Sequence, residues 1–145
     1  MRPAEILIVE DNRGDVVLFQ EAMNKARVCH HLTVVRDGVE AMEYLCRQGK
    51  YAETPRPELL ILDLKLPRKS GREVLAELRP MPDLCDIPVV ILSSSRSELE
   101  LARATLLPRQ RCLVKPSTFE GYVDLVHGIE NWRLALVGPG TAEKQ

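Results

Sequence analysis

The chain of 145 residues has no long apolar run, no excess of charge of either sign and no closely spaced cysteines. Because 20 Lys and Arg residues are balanced by 21 Asp and Glu residues, the chain lacks the basic stripe that binds a nucleic-acid backbone. No apolar stretch reaches the length of a membrane span, and the N-terminus carries no signal-like segment. These absences predict a cytoplasmic protein that binds neither nucleic acid nor a membrane directly.

The four cysteines, Cys29, Cys46, Cys85 and Cys112, lie far apart in the sequence. Zinc sites and redox couples use close pairs such as CxxC, and so this spacing predicts reduced, mostly structural thiols. The length of the chain fits about one domain. Residues 138–145 lack the apolar periodicity of a helix, and we predict that they form a flexible C-terminal tail.

Five apolar runs alternate with amphipathic stretches, a pattern typical of βαβ units that build a parallel sheet covered on both faces. The predicted strands are residues 5–9, 31–35, 59–63, 88–92 and 111–114. The second strand is more polar and is expected at an edge of the sheet. The predicted helices are residues 14–25, 39–48, 71–78, 98–107 and 118–136, and residues 49–58 form a longer connection.

Four of the predicted helices have a capping pattern at their start, in which an Asp or Ser stands three residues before a Glu. In this arrangement each side chain bonds a backbone amide of the other residue, which satisfies donors that the first helical turn leaves free. The pairs are Asp37 with Glu40, Ser70 with Glu73, Ser97 with Glu100 and Ser117 with Glu120.

Charged or hydroxyl side chains stand at the ends of four predicted strands. Glu10 and Asp11 follow the first strand, Asp63 ends the third, Ser93 follows the fourth and Lys115 follows the fifth. Because the carboxyl ends of parallel strands meet at one edge of a sheet, we expect these side chains in a single crevice. Clustered carboxylates repel one another and need a counter-charge, and a hard divalent cation is the guest that this chemistry favours.

This set of residues closely resembles the receiver domain of bacterial two-component response regulators, over about residues 5–136. The resemblance implies a receiver domain at residues 1–137 with a flavodoxin-like (βα)5 fold, a doubly wound parallel sheet of strand order 2-1-3-4-5. It also implies a signalling phosphoacceptor rather than an enzyme with a separate substrate. Such a protein catalyses its own phosphorylation and dephosphorylation.

The resemblance assigns a role to the acidic residues. Asp63 matches the acceptor, which takes a phosphoryl group from a phosphohistidine of a histidine kinase. Glu10, Asp11 and Asp63 match the carboxylates that hold Mg²⁺, and the backbone carbonyl of Lys65 matches a further ligand.

The remaining site residues are matched in the same way. Ser93 matches the hydroxyl that turns to bond the phosphoryl oxygens, and Lys115 matches the ammonium that pairs with them. The peptide between Lys115 and Pro116 is usually cis in the family, and we expect a cis bond here. Two positions depart from the family pattern: Cys112 stands where a switching aromatic ring is usual, and Lys65 stands where Asn or Met is frequent.

Further strings outside the acidic residues are similar to those of the stand-alone regulators that partner bacterial phytochrome histidine kinases. That resemblance implies a phytochrome kinase as the partner and an output without a DNA-binding effector. The strings are VEDN at residues 9–12, GD at 14–15, RPE at 56–58, GREVL at 71–75 and GIE at 128–130, before Trp132.

Two other functions remain open at this stage. A phosphatase or a flavin carrier can share the fold, but the phosphatase needs an acid where Lys65 stands, and Glu10 and Asp11 would repel a flavin phosphate. A pseudo-receiver binds partners without taking up phosphate. The complete set of acids, hydroxyl and ammonium argues against it.

The fourth and fifth predicted helices carry more apolar residues than one core-facing stripe needs. Because surplus apolar surface is usually covered, we predict a homodimer through the face built from helix 4, strand 5 and helix 5. The residues behind this prediction are Leu99, Leu101, Leu106, Leu107, Trp132, Leu134 and Leu136.

Overall fold

The computed structural model describes residues 2–137, and the predicted tail at 138–145 lies outside the described residues. The strands are β1 (Ala4–Val9), β2 (His30–Val35), β3 (Leu59–Asp63), β4 (Val89–Ser93) and β5 (Gln110–Val114). The helices are α1 (Arg13–Lys25), α2 (Gly38–Leu45), α3 (Gly71–Leu78), α4 (Arg96–Arg103) and α5 (Phe119–Val137). A short 3-10 helix at Gly49–Tyr51, which was not predicted, lies in the connection before β3. Among the described helices, none has the length and apolar character that a membrane span requires.

The five strands form one parallel sheet in the order β2-β1-β3-β4-β5. This order confirms the predicted flavodoxin-like, doubly wound fold and places the polar β2 at an edge. Val9 pairs with Leu62, and Asp63 pairs with Leu92, so the carboxyl ends of the three central strands lie level. Residues at these strand ends therefore meet along one edge.

Helices cover both faces of the sheet, and β3 and β4 are therefore buried along their whole length. Successive side chains of a strand point to opposite faces, and the two cores follow this alternation. α2, α3 and α4 cover one face, and α1 and α5 cover the other. Each fully buried aliphatic side chain stabilises the fold by about 1.5–3 kcal/mol, and this packing makes the strand ends a rigid platform. The first core includes Leu7, Val9, Leu60, Leu62 and Ile91, and the second includes Ile6, Ile8, Leu59, Ile61 and Val90.

The capping patterns were right in kind and in two cases wrong in position. Ser70 and Glu73 form the complete reciprocal box at the start of α3. Asp37 caps α2 by accepting the backbone N–H of Glu40 at 2.8 Å. The other two caps are shifted, to Ser95 instead of Ser97 for α4 and to Thr118 instead of Ser117 before α5.

Two helices end earlier than predicted. α4 ends at Arg103 instead of residue 107, because the residue before Pro108 is disfavoured in a helical conformation. α2 ends at Leu45 instead of residue 48, because Arg47 adopts a left-handed φ of 56°. The N–H groups of Arg47 and Gln48 then bond the carbonyls of Tyr44 and Glu43, as in a Schellman motif.

Two glycines allow the loop after β3 to pack against neighbouring helices. A Cβ added at Gly71 would lie 2.4 Å from the backbone oxygen of Asp63, and one at Gly38 would lie 2.0 Å from that of Lys69. Both clashes are with backbone atoms, so no side-chain rotation would relieve them. The absence of side chains at these positions therefore allows the backbone of Asp63 to pack against the start of α3 and the backbone of Lys69 to pack against the start of α2.

Candidate functional site

Three carboxylates meet at the carboxyl edge of the sheet. One oxygen from each of Glu10, Asp11 and Asp63 lies within 4.8 Å of the others. Glu10 and Asp63 are buried, whereas Asp11 is exposed. An all-oxygen set of this kind suits a hard divalent cation such as Mg²⁺ or Mn²⁺. The structure thus brings together the three acids that were predicted to converge.

Lys115 places a positive charge inside this cluster. Its Nζ lies 2.7 Å from Glu10 Oε1, 2.9 Å from Asp15 Oδ2 and 3.0 Å from Asp63 Oδ2. Burial acts to lower the pKa of Lys115, but the hydrogen bonds to these three carboxylates raise it above its usual value. The ammonium is therefore charged at neutral pH, and one cation serves three carboxylates.

Asp15 is a site residue that the sequence analysis missed. Asn12 is the N-cap of α1 and accepts the backbone N–H of Asp15 at 3.0 Å, while the Asp15 carboxylate reaches Lys115. Asp15 lies in the first turn of α1, four residues after Asp11, and this position is the signal that could have identified it. Tyr122 of α5 also interacts with Asp15. Burial raises the pKa of Tyr122 to about 12, and the charge of Asp15 adds to this effect.

Glu10 is the most buried acid of the cluster. Burial raises its pKa to about 7; the bond from Lys115 opposes the rise, and Asp63 adds to it. Glu10 Oε2 also accepts the backbone N–H of Asn12 at 3.2 Å. A divalent cation held by this carboxylate would favour its ionised form, and so metal binding is coupled to loss of a proton.

Both oxygens of Asp63 are held in place. Oδ1 accepts the backbone N–H of Lys65 at 3.1 Å, and Oδ2 accepts from Lys115 Nζ. The next residue, Leu64, donates its N–H to the carbonyl of Leu92, which ties the end of β3 to β4. The side chain of Lys65 is exposed to solvent. A fixed carboxylate beside an ammonium is suited to act as a nucleophile toward an electrophile that carries negative charge.

Ser93 ends β4 and is buried. Its Oγ accepts the backbone N–H of Ser95 at 3.0 Å and donates to Glu98 Oε2 at 3.3 Å. The hydroxyl is thus bonded to residues at the start of α4. Glu98 was not among the predicted site residues, and its position in the first turn after a strand end is the sequence signal that it shares with Asp15.

A cavity of about 520 Å³ opens beside the acids. Its polar lining includes Asp11, Lys65, Arg72 and Glu98. The lining carries both signs of charge, and it connects the acidic cluster to solvent through the exposed Asp11.

Comparison with known proteins identifies this arrangement. Residues 6–127 match the family model of the response regulator receiver domain. The chain belongs to this family. This receiver domain is 42% identical over 135 residues to response regulator Rcp1 of Synechocystis sp., and the match covers 93% of this chain and 92% of Rcp1.

Two solved structures of similar proteins extend the comparison. The crystal structure of the phosphorylated cyanobacterial phytochrome response regulator RcpA matches with a TM-score of 0.83 and 42% identity, over 94% of this chain and 97% of RcpA. The Mn²⁺-bound form of Rcp1 matches with a TM-score of 0.78 and 41% identity, over 88% of this chain and 92% of that one. The receiver fold is therefore shared along nearly the whole described chain.

One expectation about the receiver site is wrong. The peptide between Lys115 and Pro116 is trans, since the described residues contain no cis peptide bond. For an X-Pro peptide the trans form is favoured by about 0.5–1 kcal/mol, and from this trans peptide Lys115 Nζ bonds three carboxylates.

Cys112, at the position where the family usually has an aromatic ring, is buried in the core beneath α4. Burial raises the pKa of its thiol, which is therefore neutral at physiological pH. A small side chain packed in this way has no ring to turn between two positions.

Proposed function

We propose that this receiver domain accepts a phosphoryl group on Asp63 from a phosphohistidine of a sensor histidine kinase, in a reaction that depends on Mg²⁺. The observation that carries the proposal is the environment of Asp63. Its carboxylate ends a central buried strand, bonds Lys115 and shares a metal-sized cluster with Glu10 and Asp11. These are the features that a nucleophile for phosphoryl transfer needs.

In the proposed reaction an oxygen of Asp63 attacks the phosphorus atom of the phosphohistidine. The new O–P bond forms as the N–P bond breaks, and the electron pair of that bond stays on the imidazole nitrogen. Lys115 is already bonded to Asp63 Oδ2, so its ammonium is placed to pair with the phosphoryl oxygens. The Ser93 hydroxyl, on the neighbouring strand, supplies a further donor once it turns from α4.

The acidic residues fit a divalent cation. Glu10, Asp11, Asp15 and Asp63, when ionised, exceed the single ammonium of Lys115 by three negative charges. Glu10, Asp11, Asp63 and the carbonyl of Lys65 would hold the ion. When bound, Mg²⁺ neutralises charge on the phosphoryl group as it is transferred. The similarity to the Mn²⁺-bound form of Rcp1 supports a divalent ion in this pocket.

The same site would return to its resting state by hydrolysis. Water attacks the phosphorus atom, the bond to Asp63 breaks, and the carboxylate is regenerated with release of phosphate. This makes the protein a phosphoacceptor that catalyses only its own modification. A phosphatase for other substrates is disfavoured because Lys65, two residues after the nucleophile, is a basic residue with an exposed side chain.

The proposed partner is a kinase of the phytochrome class, supported by the similarity to RcpA, a cyanobacterial phytochrome response regulator. A relay that draws its phosphoryl group from ATP operates in the cytoplasm, which is where we place this protein. Its output would be a change of surface, without direct contact to DNA.

The proposal includes a homodimer through the face of α4, β5 and α5, although the apolar surplus there is smaller than the sequence indicated. Leu99 is buried in the core, and residues 106 and 107 lie beyond the end of α4. Leu101, Val114 and Leu134 are exposed on these three elements and support the proposal. Light scattering over a dilution series tests it. We expect the parent to be a dimer and the double variant Leu101→Asp with Leu134→Asp to be a monomer. A parent that is monomeric at every concentration contradicts the proposed dimer.

The experiment for the phosphoacceptor uses intact-mass spectrometry after incubation with acetyl phosphate. We expect one added phosphoryl group in the presence of Mg²⁺, none after chelation, and none on the folded Asp63→Asn variant. Unchanged labelling of that variant would assign the reaction to another residue. Transfer from a phosphorylated phytochrome kinase, compared with a kinase of another class, tests the partner.

A further inference from the structure

The start of α4 departs from the otherwise similar start of α3. At α3, Ser70 accepts the backbone N–H of Glu73 at 3.2 Å, and the Glu73 carboxylate accepts the backbone N–H of Ser70 at 3.1 Å. α4 has the same residue types at the same spacing, Ser95 and Glu98. Only half of the box is formed there, since Ser95 Oγ accepts the N–H of Glu98 at 3.3 Å.

The missing half of this box is diverted to the end of β4. The backbone N–H of Ser95 donates to Ser93 Oγ at 3.0 Å instead of to the Glu98 carboxylate. The carboxylate accepts from the Ser93 hydroxyl at 3.3 Å. Ser93 thus stands between the two groups that the capping pattern would pair directly.

We propose that Glu98 is a positioning residue that holds the Ser93 hydroxyl in the resting protein and completes the capping box of α4 when Ser93 turns to the phosphoryl group. This inference rests on the proposed function of Asp63. Glu98 acts through Ser93 and has no contact with the reacting atoms. The start of α4 then reports the state of Asp63 to the surface of the protein.

The exchange keeps the number of hydrogen bonds constant, and the free-energy difference between its two states is therefore small. In the resting state, the Ser93 hydroxyl donates to Glu98, and the Ser95 N–H donates to Ser93. After transfer, the hydroxyl donates to a phosphoryl oxygen and the Ser95 N–H donates to Glu98. Two donors are satisfied before and after, so no buried polar group is left unpaired.

Two features of the surroundings of Glu98 favour this movement: the charge that phosphorylation adds and the cavity beside the side chain. Phosphorylation adds roughly two negative charges to the pocket, which disfavours a carboxylate bonded to the turning hydroxyl. Glu98 is only partly buried and lines the same cavity of about 520 Å³ as Asp11. The carboxylate would move between two partners that are only two residues apart, Ser93 and Ser95, at the start of α4.

The first test measures the rate of phosphoryl uptake from acetyl phosphate with Mg²⁺. In the parent the Ser93 hydroxyl must leave Glu98 before the carboxylate can reach the Ser95 N–H, so one hydrogen bond is lost on the way to transfer. Glu98→Ala removes this step, and uptake should be about fivefold faster than in the parent, the effect of one net hydrogen bond. Glu73→Ala is the matched control, because it removes the same capping position from α3 and should leave the rate unchanged. An unchanged rate in Glu98→Ala, or an equal increase in both variants, overturns the proposal.

The second test follows the backbone amide of Ser95 by NMR, with beryllofluoride and Mg²⁺ as the phosphoryl mimic. In the parent, the amide proton should move downfield on addition of the mimic, as its acceptor changes from a hydroxyl to a carboxylate. Glu98→Gln can still complete a capping box and should keep most of this shift, whereas Glu98→Ala should lose it. A Ser95 amide that does not respond in the parent, or that responds equally in Glu98→Ala, contradicts the proposal.

These outcomes are separable from the fate of the proposed function. If the parent takes up phosphate on Asp63 while the Ser95 amide and the uptake rate are insensitive to Glu98, only the inference about α4 fails. If the parent takes up no phosphate, the proposed function fails first.

Discussion

The amino edge and the carboxyl edge of the sheet differ in how their acidic side chains are paired. At the amino edge, Arg2 pairs with Glu58 at 2.8 Å and His31 pairs with Glu5 at 2.9 Å, so each acid has its own partner. At the carboxyl edge, three carboxylates share the single ammonium of Lys115. Matched, exposed pairs add little energy and are structural. A crowded, buried cluster costs stability and persists where a ligand completes it.

Two glutamates show the difference most clearly. Burial acts to raise the pKa of Glu58, but the backbone N–H of Glu5 and the guanidinium of Arg2 outweigh it and lower that pKa below 4.5. Burial raises the pKa of Glu10 to about 7, because one lysine shared with Asp63 compensates too little. The first carboxylate stabilises the fold in its ionised form, and the second resists ionisation.

The largest predicted effect comes from removing the shared cation. Lys115→Met should lower the free energy of unfolding by about 3 kcal/mol at pH 7, since it leaves buried carboxylates without a partner. Saturating Mg²⁺ should restore part of the loss. Urea denaturation with and without Mg²⁺ measures both. The amino-edge control, Arg2→Met, should lose less than about 1 kcal/mol and show no response to Mg²⁺.

Metal binding gives the next contrast. Asp11→Asn should weaken Mg²⁺ binding about tenfold or more in a calorimetric titration, because it removes one of the few carboxylates in the cluster. In the parent, the affinity should rise between pH 5 and pH 7 as Glu10 gives up its proton. Glu58→Gln should leave the affinity unchanged at every pH. A pH-independent affinity in the parent would exclude Glu10 from the metal site.

The pH dependence of stability should differ in sign between the edges. The folded pKa of Glu10 is raised, so its contribution is fully present below pH 4.5 and is lost as the pH rises toward 7. The folded pKa of Glu58 is lowered, so its contribution is present above pH 4.5 and is lost as the pH falls through the folded pKa. In metal-free buffer, Glu10→Gln should remove the first decline and Glu58→Gln the second. Thermal unfolding across pH 3 to 8 measures both.

The smallest effect is predicted for His31, whose side chain is 66% exposed. His31→Gln should change the free energy of unfolding by less than about 1 kcal/mol and leave phosphoryl uptake unaltered. A larger loss, or any change in uptake, would show that the paired edge is coupled to the site.

Most of the fold and the three central acids were accessible from the sequence because both follow from local patterns. Apolar runs mark the strands, and a residue at a strand end has a defined place once the sheet is parallel. Asp63 and the acidic pair were therefore found by position alone.

The contacts that escaped prediction depend on where long side chains reach between elements. Asp15 meets Lys115 across a separation of 100 residues, and Glu98 is drawn from its capping pattern to Ser93. A capping pattern cannot show that a neighbouring strand end offers a competing partner. The trans peptide before Pro116 and the early end of α4 are different, because the intrinsic preference of X-Pro bonds and the presence of Pro108 are both local features of the sequence.

The most direct test of the account is to locate the phosphoryl group after reaction with acetyl phosphate and Mg²⁺, by tandem mass spectrometry of proteolytic fragments. The segment between Lys50 and Lys65 contains both Glu58, from the paired edge, and Asp63, from the crowded edge. We predict that the phosphoryl group lies on Asp63 and disappears in Asp63→Asn but not in Glu58→Gln. A phosphoryl group found on any other residue of the parent would contradict the claim that the crowded edge carries the chemistry.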